Sequence, residues 1–423
     1  MSLCPEGYMT RLVENRIDNS LKAAGAISVE GPKGCGKTWC SRRFAESEFS
    51  LVDPTDNYLN LRIAREDPAF VLDGEAPHLI DEWQDVSKIW DAVRFEVDKS
   101  RKKGRFILCG SSSVDKADRS HSGAMRIIDV PMRTMSLFES EDSTGDVSLK
   151  GLFDGDFRSS RVQAIGLEGI SWLIIRGGWP GLLDADETSV SLQLKDYIDK
   201  LCEEDAQKID GKHRNVANLK RLFRSLARNE SSMVAMTKLT SDIAEYENQR
   251  IDQETVAEYI DVFDKLHLIA NQSAYSPRYR SPVRVGKSPK RHLTDPSLAC
   301  ASLNITADML MKDIKTFGLL FESLVERDLR IYIESLDGKL YHYRNNGNGV
   351  EVDAIVELAD GEYGAIEIKL GGNQEEDAAT NLKKFYERAE VKPKFMCIIC
   401  GLHDVITRRP DGIYVLPITS LKP

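Results

Sequence analysis

The sequence predicts an α/β protein in which a parallel, three-layer domain precedes a helical module and a second, C-terminal α/β domain. Short apolar runs alternate with helical patterns as far as about Ser140, which is typical of parallel βαβ units. From about Val162 the pattern is mainly helical, and towards the C-terminus a helix is followed by strand-like segments. We therefore expect domains over residues 1–160, 161–300 and 301–423.

Length and composition describe an ordinary globular protein. The 423 residues are 41% hydrophobic and 29% charged, and they contain no apolar run of the roughly 18 residues that a membrane span needs. No signal-peptide pattern opens the chain and the eight cysteines are scattered, so we expect reduced thiols, a cytoplasmic location and no membrane contact. With a net charge of −10, any nucleic-acid contact must come from a local basic patch.

The first elements lead into a glycine-rich loop. Residues 9–25 have the apolar spacing of an amphipathic helix, and residues 26–30 form a short apolar run that is typical of a strand. Beyond the loop, the pattern predicts a helix over about 37–48 and a second strand over 50–53. The loop thus lies between a strand and a helix.

The loop, residues 31–38, reads GPKGCGKT and fits the phosphate-binding pattern GxxxxGK[ST]. Glycines permit the tight wrap that points backbone N–H groups at one anion, and the following helix N-terminus favours negative charge. Lys37 would reach the β- and γ-phosphates of ATP, and the Thr38 hydroxyl would bind Mg²⁺. The alternative is a structural turn. The predicted nucleotide-binding residues are Gly31, Gly34, Cys35, Gly36, Lys37 and Thr38.

A second polar pair ends the apolar run at residues 77–80. Asp81 would hold Mg²⁺ through its water shell, and Glu82 would polarise the attacking water as a general base. Kinases of small metabolites usually lack the adjacent glutamate, so the pair favours hydrolysis. The alternative is an exposed acidic pair at the end of a strand.

The strand predicted over residues 105–110 ends in three serines. Ser111 at its tip can hydrogen-bond the γ-phosphate or the attacking water, but Gly-Ser runs also form simple turns. Arg119 and Arg126 are candidates for a charge-neutralising arginine, from this chain or from a neighbouring subunit of an oligomer, and equally for surface residues. The acidic segment 139–156 reads as an exposed connection.

The middle of the chain has the pattern of a winged helix. Helices are predicted over 215–229, 237–246 and 253–268, with strands over 269–273 and 283–286. The third helix is acidic and would repel phosphate, whereas the wing is basic. DNA or RNA would therefore bind through the wing, and the alternative is a packing or oligomerisation module. The basic residues of segment 278–291 are Arg278, Arg280, Arg284, Lys287, Lys290 and Arg291.

The C-terminal part contains a second set of polar residues of types that are able to catalyse a reaction. The period of two along a strand puts Glu367 and Lys369 on one face, and Asp353 on the neighbouring strand can reach the same face. These residues predict metal-assisted hydrolysis of a phosphodiester. Asp353 and Glu367 would bind Mg²⁺, Lys369 would steer or deprotonate water, and Glu322 would add a metal ligand or an outer contact. The alternative is a salt-bridged sheet face.

Taken together, these motifs resemble the prokaryotic AAA+-like P-loop ATPases whose C-terminal domain of unknown function has a PD-(D/E)xK nuclease-like core. The resemblance implies ATP binding at the loop, with Asp81 and Glu82 at the metal and the water. It also implies a helical lid, a winged-helix middle and a nuclease-like end. The matching segments are GPKGCGKT (31–38), LIDEWQ (79–84), GSSS (110–113), GGWPG (177–181), HLTDPSLA (292–299) and FESLVERDL (321–329), followed by YHYR, EVD and EIK.

Two functions follow from these features. The first is an ATPase whose ATP or ADP state controls a C-terminal domain that processes nucleic acid. The second is a nucleotide-gated binding or assembly module in which the nuclease-like fold only docks a partner. Phosphoryl transfer to a small metabolite is disfavoured by Glu82 and by the large accessory regions.

Overall fold

The computed structural model describes residues 3–111, 121–244, 251–276, 288–345 and 349–423. Their contacts form two compact units. The first comprises Met1–Thr134, Glu203–Arg214 and Asp261–Leu268, and the second comprises Met135–Cys202, Asn215–Ile260 and Ile269–Pro423. The bounds expected for three domains stay predictions. None of the helices in these described ranges has the length and apolar character needed to cross a membrane.

The first unit is built on a five-stranded parallel sheet, which confirms the predicted α/β character of the N-terminal region. Its strands, in spatial order β2-β3-β4-β1-β5, are β1 (Ala26–Glu30), β2 (Ser47–Ser50), β3 (His78–Asp81), β4 (Phe106–Gly110) and β5 (Ile127–Pro131). Its first helices are α1 (Glu14–Ala23), α2 (Lys37–Arg42), α3 (Thr55–Glu66) and α4 (Lys88–Ser100).

This sheet is covered on both faces. Ile27 and Ile107 belong to a core cluster that includes Ile17 of α1, whereas Leu108 belongs to a second cluster that includes Trp90 of α4. Burial on both faces explains why β1 and β4 read as continuous apolar runs rather than alternating ones.

Two local predictions were wrong. The helix expected over 37–48 ends at Arg42, and the strand expected over 50–53 lies instead at Ser47–Ser50, where it pairs in parallel with His78–Asp81. Pairing with a neighbouring strand outweighs the helical pattern there. The segment 139–156, expected to be exposed, contains α5 (Leu149–Asp154), whose apolar side chains are buried. Its sequence is acidic, but its apolar positions face a core.

The second unit begins with a set of helices. The three helices predicted between residues 215 and 268 are present with slightly shorter bounds. In chain order, the helices that follow α5 are α6 (Gly166–Arg176), α7 (Glu187–Lys200), the short α8 (Ala206–Lys208) of the first unit, α9 (Val216–Arg228), α10 (Met236–Ala244), α11 (Gln253–Lys265), α12 (Pro296–Leu303), α13 (Ala307–Lys312) and α14 (Ile314–Ser335). The end of α11, from Asp261 onwards, also belongs to the first unit.

The wing is only partly within the described residues. Antiparallel bridges join Ile269 to Leu293 and Gln272 to Lys290, as the two sides of a hairpin would. The predicted strand 283–286 lies outside the described residues, as do Arg278, Arg280, Arg284 and Lys287.

A mixed eight-stranded sheet forms the other part of the second unit. Strands β9 (Lys339–Asn345), β10 (Val350–Glu357) and β11 (Tyr363–Lys369) are antiparallel neighbours. Strand β11 is parallel to β12 (Phe395–Cys400), which is parallel to β14 (Tyr414–Pro417). Helix α15 (Glu375–Arg388) packs on this sheet through Leu382 and Phe385. In spatial order the strands are β7 (Ser160–Arg161), β13 (Val405–Arg408), β14 (Tyr414–Pro417), β12 (Phe395–Cys400), β11 (Tyr363–Lys369), β10 (Val350–Glu357), β9 (Lys339–Asn345) and β8 (Ser273–Ala274). A separate parallel pair is formed by β6 (Val147–Ser148) and β15 (Leu421–Lys422).

A buried ionic cluster joins distant segments of the second unit. The Asp295 carboxylate accepts hydrogen bonds from the Gly178 amide at 3.0 Å and from Arg327 Nη1 at 3.1 Å. Arg327 also donates to Asp328 at 2.7 Å, and Asp328 accepts from the Leu137 amide at 3.0 Å. One hydrogen-bonded cluster therefore brings together the motifs GGWPG, HLTDPSLA and FESLVERDL. The first of them precedes the other two by more than a hundred residues of sequence.

The cluster predicts a different outcome for two glycines of the same motif. Gly177 has a φ of +67°, and a Cβ there would overlap Asp295 and Ser297, whereas a Cβ on Gly181 would meet open space. We expect Gly177→Ala to lower the free energy of unfolding by about 2–4 kcal/mol and Gly181→Ala to change it by less than about 0.5 kcal/mol. Urea denaturation measures both, and equal effects would contradict the packing described.

Candidate functional sites

The predicted phosphate loop connects β1 to α2, and α2 begins at Lys37. Gly36 has a φ of +98°, which a residue with a side chain rarely adopts. Gly31 lies so close to the Met132 carbonyl that a Cβ would overlap it. Lys37 is buried, and its Nζ donates to the Pro32 carbonyl at 2.9 Å, so its ammonium group lies over its own loop.

Arg11 supports this loop and was missed from the sequence. Its Nη1 donates to the Cys35 carbonyl at 2.7 Å, and its Nη2 donates to the Arg133 carbonyl at 2.9 Å. Cys35 itself is fully buried. The guanidinium therefore ties the loop to the end of the sheet. A buried arginine ahead of the first helix carries no spacing that would point to these partners.

The polar residues at the ends of β3 and β4 lie beside the loop. Thr38 Oγ1 donates to Asp81 at 3.1 Å, and Ser111 Oγ donates to Glu82 at 3.2 Å. Gln84 Nε2 also donates to Glu82. Glu82 has a φ of +54°, which is uncommon for a residue other than glycine. Burial raises the pKa of Asp81, and the Glu82 charge adds to this rise.

A cavity of about 640 Å³ opens beside these residues, and all of its walls belong to the first unit. Four lining residues, Asp205, Lys208, Ile209 and Leu266, come from the two later segments of that unit and were not predicted as site residues. The earlier residues that line it are Lys33, Thr38, Val52, Asp81, Glu82, Gln84, Asp85, Ser87 and Ser111.

The residues present fit a nucleotide with Mg²⁺. Donors for phosphate come from the loop and Lys37, and Thr38 beside Asp81 is a pair of oxygen ligands of the kind that Mg²⁺ takes. Of the two candidate arginines, Arg126 pairs with Asp98 at 2.8 Å and is partly exposed. Arg119 lies outside the described residues.

In the second unit, the predicted residues Asp353, Glu367 and Lys369 meet on the adjacent strands β10 and β11. Lys369 Nζ lies 3.1 Å from Asp353 and 2.7 Å from Glu367, so one ammonium group bridges the two carboxylates. The Ile368 amide donates to Asp353 at 2.8 Å, and Asn381 of α15 donates to Glu367 at 2.8 Å. A shift in register between β9 and β10 falls at Asp353.

Burial and the neighbouring charges shift the pKa values of two residues in this cluster. Burial raises the pKa of Glu367 to about 8, and the Asp353 charge adds to the rise. Burial alone would lower the pKa of Lys369, but the two carboxylates outweigh it and raise that pKa above its usual range. The ammonium group therefore stays charged while it holds both carboxylates.

Glu322 lies in a buried row of charged side chains, where its carboxylate is already paired with a lysine and is not left open for a metal ion. The row consists of Glu230, His292, Glu326, Lys290 and Glu322. Lys290 contacts Glu322 and lies 2.9 Å from Glu326, and His292 contacts Glu326 and lies 3.1 Å from Glu230. Burial raises the pKa of Glu322 to about 7. We refer to these five residues as the charge row.

The charge row changes the meaning of one predicted wing residue. Lys290 is only 4% exposed, so its charge is directed into the protein and not towards a nucleic acid. Among the residues that the structure describes, no group of three or more His, Cys, Asp or Glu side chains is arranged to hold a metal ion. The predicted roles of Asp353, Glu367, Lys369 and Glu322 stay predictions.

Three family profiles match separate parts of the chain. Residues 23–141 match the AAA domain, residues 168–309 match a domain of unknown function, DUF8612, and residues 317–421 match another, DUF4143. The first range contains the loop, Asp81, Glu82 and Ser111. The N-terminal region is an AAA+-like P-loop ATPase domain.

Comparison with whole proteins finds relatives across most of the chain. The uncharacterized protein Rv2008c of Mycobacterium tuberculosis and the uncharacterized protein Mb2031c of Mycobacterium bovis are each 24% identical over 360 residues. Each match covers 84% of this chain and 72% of the relative. The similarity to these two proteins therefore extends beyond the AAA domain into the later regions of the chain.

The comparison with solved structures gives only weak matches. The Walker-type ATPase paby2304 of Pyrococcus abyssi matches with a TM-score of 0.43 and 11% identity, over 71% of this chain and 99% of that one. A variant of RuvB from Thermotoga maritima matches with a TM-score of 0.29 and 14% identity, over 69% of this chain and 96% of that one. These scores are low, and the family profile carries the assignment of the AAA domain.

The support that Arg11 gives the loop can be measured. We expect Arg11→Lys to weaken binding of a fluorescent ADP analogue by about tenfold, because a lysine cannot reach the Cys35 and Arg133 carbonyls together. Lys22→Ala, an exposed change on α1, is the control and is expected to bind normally. Normal binding by both variants would show that the two hydrogen bonds do not hold the loop in its binding shape.

Proposed function

We propose that the protein hydrolyses ATP at the phosphate loop and that its nucleotide state controls a C-terminal, nuclease-like domain that interacts with nucleic acid. One observation carries the first half. Thr38 is hydrogen-bonded to Asp81, and Glu82 is hydrogen-bonded to Ser111, at one cavity beside the loop. A hydrolase needs these groups close together, whereas a structural turn does not.

The proposed roles follow from the chemistry of each group. Gly31, Gly34, Cys35 and Gly36 would offer backbone N–H groups to the phosphates, and Lys37 would leave the Pro32 carbonyl for them. Thr38 and Asp81 would hold Mg²⁺, which supplies charge neutralisation when bound. Glu82 would accept a proton from the attacking water, and Ser111 would keep the Glu82 carboxylate in place.

Two substitutions separate binding from hydrolysis. We expect Lys37→Ala to lose ATP binding and hydrolysis, and Glu82→Gln to bind ATP but hydrolyse it at least about 100-fold more slowly. Glu66→Gln, an exposed change on α3, is the matched control. Phosphate release, with and without DNA, is the measurement. Hydrolysis by Lys37→Ala at the wild-type rate would reject the proposed site.

The second half of the proposal is supported by the cluster of Asp353, Glu367 and Lys369. Two carboxylates and an ammonium group on adjacent strands are the residue types that metal-assisted phosphodiester hydrolysis uses. Asp353 and Glu367 would hold Mg²⁺, and Lys369 would bind or deprotonate water. Glu322 would act through the charge row as an outer contact.

A control on the same strand makes this testable. We expect Asp353→Asn to abolish Mg²⁺- or Mn²⁺-dependent cleavage of a panel of DNA and RNA substrates. Glu351→Gln, which changes an exposed carboxylate of β10, should cleave as wild type does. Identical cleavage by wild type and Asp353→Asn would reject a nuclease role for this cluster.

A second function is favoured by the way these charges are already paired. Lys369 lies between Asp353 and Glu367, and Lys290 lies between Glu322 and Glu326. Carboxylates that are already neutralised by lysines of the same chain need no metal ion, and a domain that only docks a partner needs none either. This function predicts binding of nucleic acid or protein without cleavage, unaffected by Asp353→Asn and weakened by changes in the basic segment 278–291.

A further inference from the structure

The segment 203–214 supplies one wall of the nucleotide cavity, although it follows β5 by about 70 residues in the sequence numbering. Arg214 holds this segment in shape through hydrogen bonds to other residues of the segment. The Arg214 side chain donates to the Ala206 carbonyl at 2.8 Å and to Asp210 at 2.6 Å, and its amide donates to Gln207 at 2.7 Å. These bonds give the segment a defined shape, so the positions of its lining residues are set locally.

An ion pair attaches this segment to the phosphate loop. Lys33 Nζ, from the loop, lies 2.7 Å from Asp205 Oδ1. The Asp205 side chain is only 11% exposed, so the pair is better shielded than an ordinary surface ion pair. Within the first unit, the pair brings residues 205–209 to the part of the cavity that Asp81, Glu82 and Ser111 also line.

Lys208 is the second cationic residue described in the cavity wall. Its ammonium group lies 3.9 Å from Asp205, at the outer limit of an ion pair, and its side chain is 71% exposed. Its charge lowers the pKa of Asp85, which burial and the Glu82 charge raise, so it acts across the acidic side of the cavity. Lys33, in contrast, is already held by Asp205 at 2.7 Å.

The charges that line the cavity make an exposed cation there important. Asp81, Glu82 and Asp85 are among the lining residues that the structure describes, and no arginine is. ATP hydrolysis spreads negative charge over the γ-phosphate oxygens, and P-loop enzymes stabilise it with a cation from the same chain or from a partner. Lys208 lines the same cavity as Glu82, and its exposed ammonium group is held, among the described residues, only by the 3.9 Å contact to Asp205, so it meets this requirement.

We propose that Lys208 is a catalytic residue of the ATPase site, which contacts the γ-phosphate and neutralises its charge during hydrolysis in the same chain. The proposal rests on the ATPase function proposed above. In the reaction, the water oxygen bonds to the γ-phosphorus, and the bond from that phosphorus to the bridging oxygen breaks. Its electron pair goes to ADP, and a water proton passes to Glu82. Lys208 keeps its proton throughout and contributes only charge.

Three variants of one segment test the proposal in the full-length protein. Lys208→Ala removes the charge, Lys208→Arg keeps it, and Lys212→Ala removes a similarly exposed lysine of the same segment that does not line the cavity. Single-turnover hydrolysis of ATP gives the rate. Binding of a fluorescent ADP analogue and of a non-hydrolysable ATP analogue gives two affinities, because only the second carries a γ-phosphate.

We expect Lys208→Ala to hydrolyse ATP at least about tenfold more slowly, with an ADP affinity within about twofold of wild type. It should lose affinity for the non-hydrolysable ATP analogue. Lys208→Arg should recover most of the rate, and Lys212→Ala should match wild type.

Three results would overturn the proposal, each for a different reason. If Lys208→Ala hydrolyses ATP as wild type does while Glu82→Gln is slow, Lys208 is not catalytic and the ATPase function stands. If wild type releases no more phosphate than Lys37→Ala, with or without DNA, the ATPase function fails and Lys208 with it. Equal losses of ADP and ATP-analogue affinity in Lys208→Ala, without recovery in Lys208→Arg, would assign Lys208 a structural role and reject the catalytic one.

Discussion

The second unit depends on one buried guanidinium. Arg327 lies between Asp295 and Asp328, both fully buried, and through them it connects to the amides of Gly178 and Leu137. Two carboxylates removed from water are costly unless each is paired and hydrogen-bonded. Here each is, so the arrangement is stable only when three distant segments have come together. The cluster therefore favours one arrangement of those segments over others more than it adds to stability.

The same principle operates around the phosphate loop with backbone groups instead of carboxylates. A loop that directs its N–H groups towards an anion leaves carbonyl oxygens on its outer side. The Cys35 carbonyl accepts from Arg11, and the Pro32 carbonyl accepts from Lys37. The first contact supports the loop from outside. Under the function proposed above, the second contact would be given up when Lys37 binds a phosphate, so the loop itself holds the lysine while no phosphate is bound.

Sequence reasoning recovered the elements whose signals are local. The strand Ala26–Glu30, the loop and the pair Asp81-Glu82 could be read from residue types and spacing, and the family profile for the AAA domain agrees. The second strand was expected over 50–53 and lies three residues earlier, at Ser47–Ser50, because its pairing with His78–Asp81 outweighs a helical pattern. Arg11, Asp205 and Lys208 were missed because what brings them to the site is tertiary folding across up to about 170 residues of sequence.

The C-terminal region shows the opposite limit. The period of two along the strand correctly placed Glu367 and Lys369 beside Asp353. It could not show that Lys290, which was predicted as a residue of the wing, is buried in the charge row. Within that row acidic and basic groups alternate from Glu230 to Glu322. Losing any one inner member would leave two groups of like charge facing each other. In related proteins, a change of charge at one position of the row should therefore be accompanied by a compensating change at a neighbouring position. Such correlated substitutions would show that the row itself has been kept during evolution.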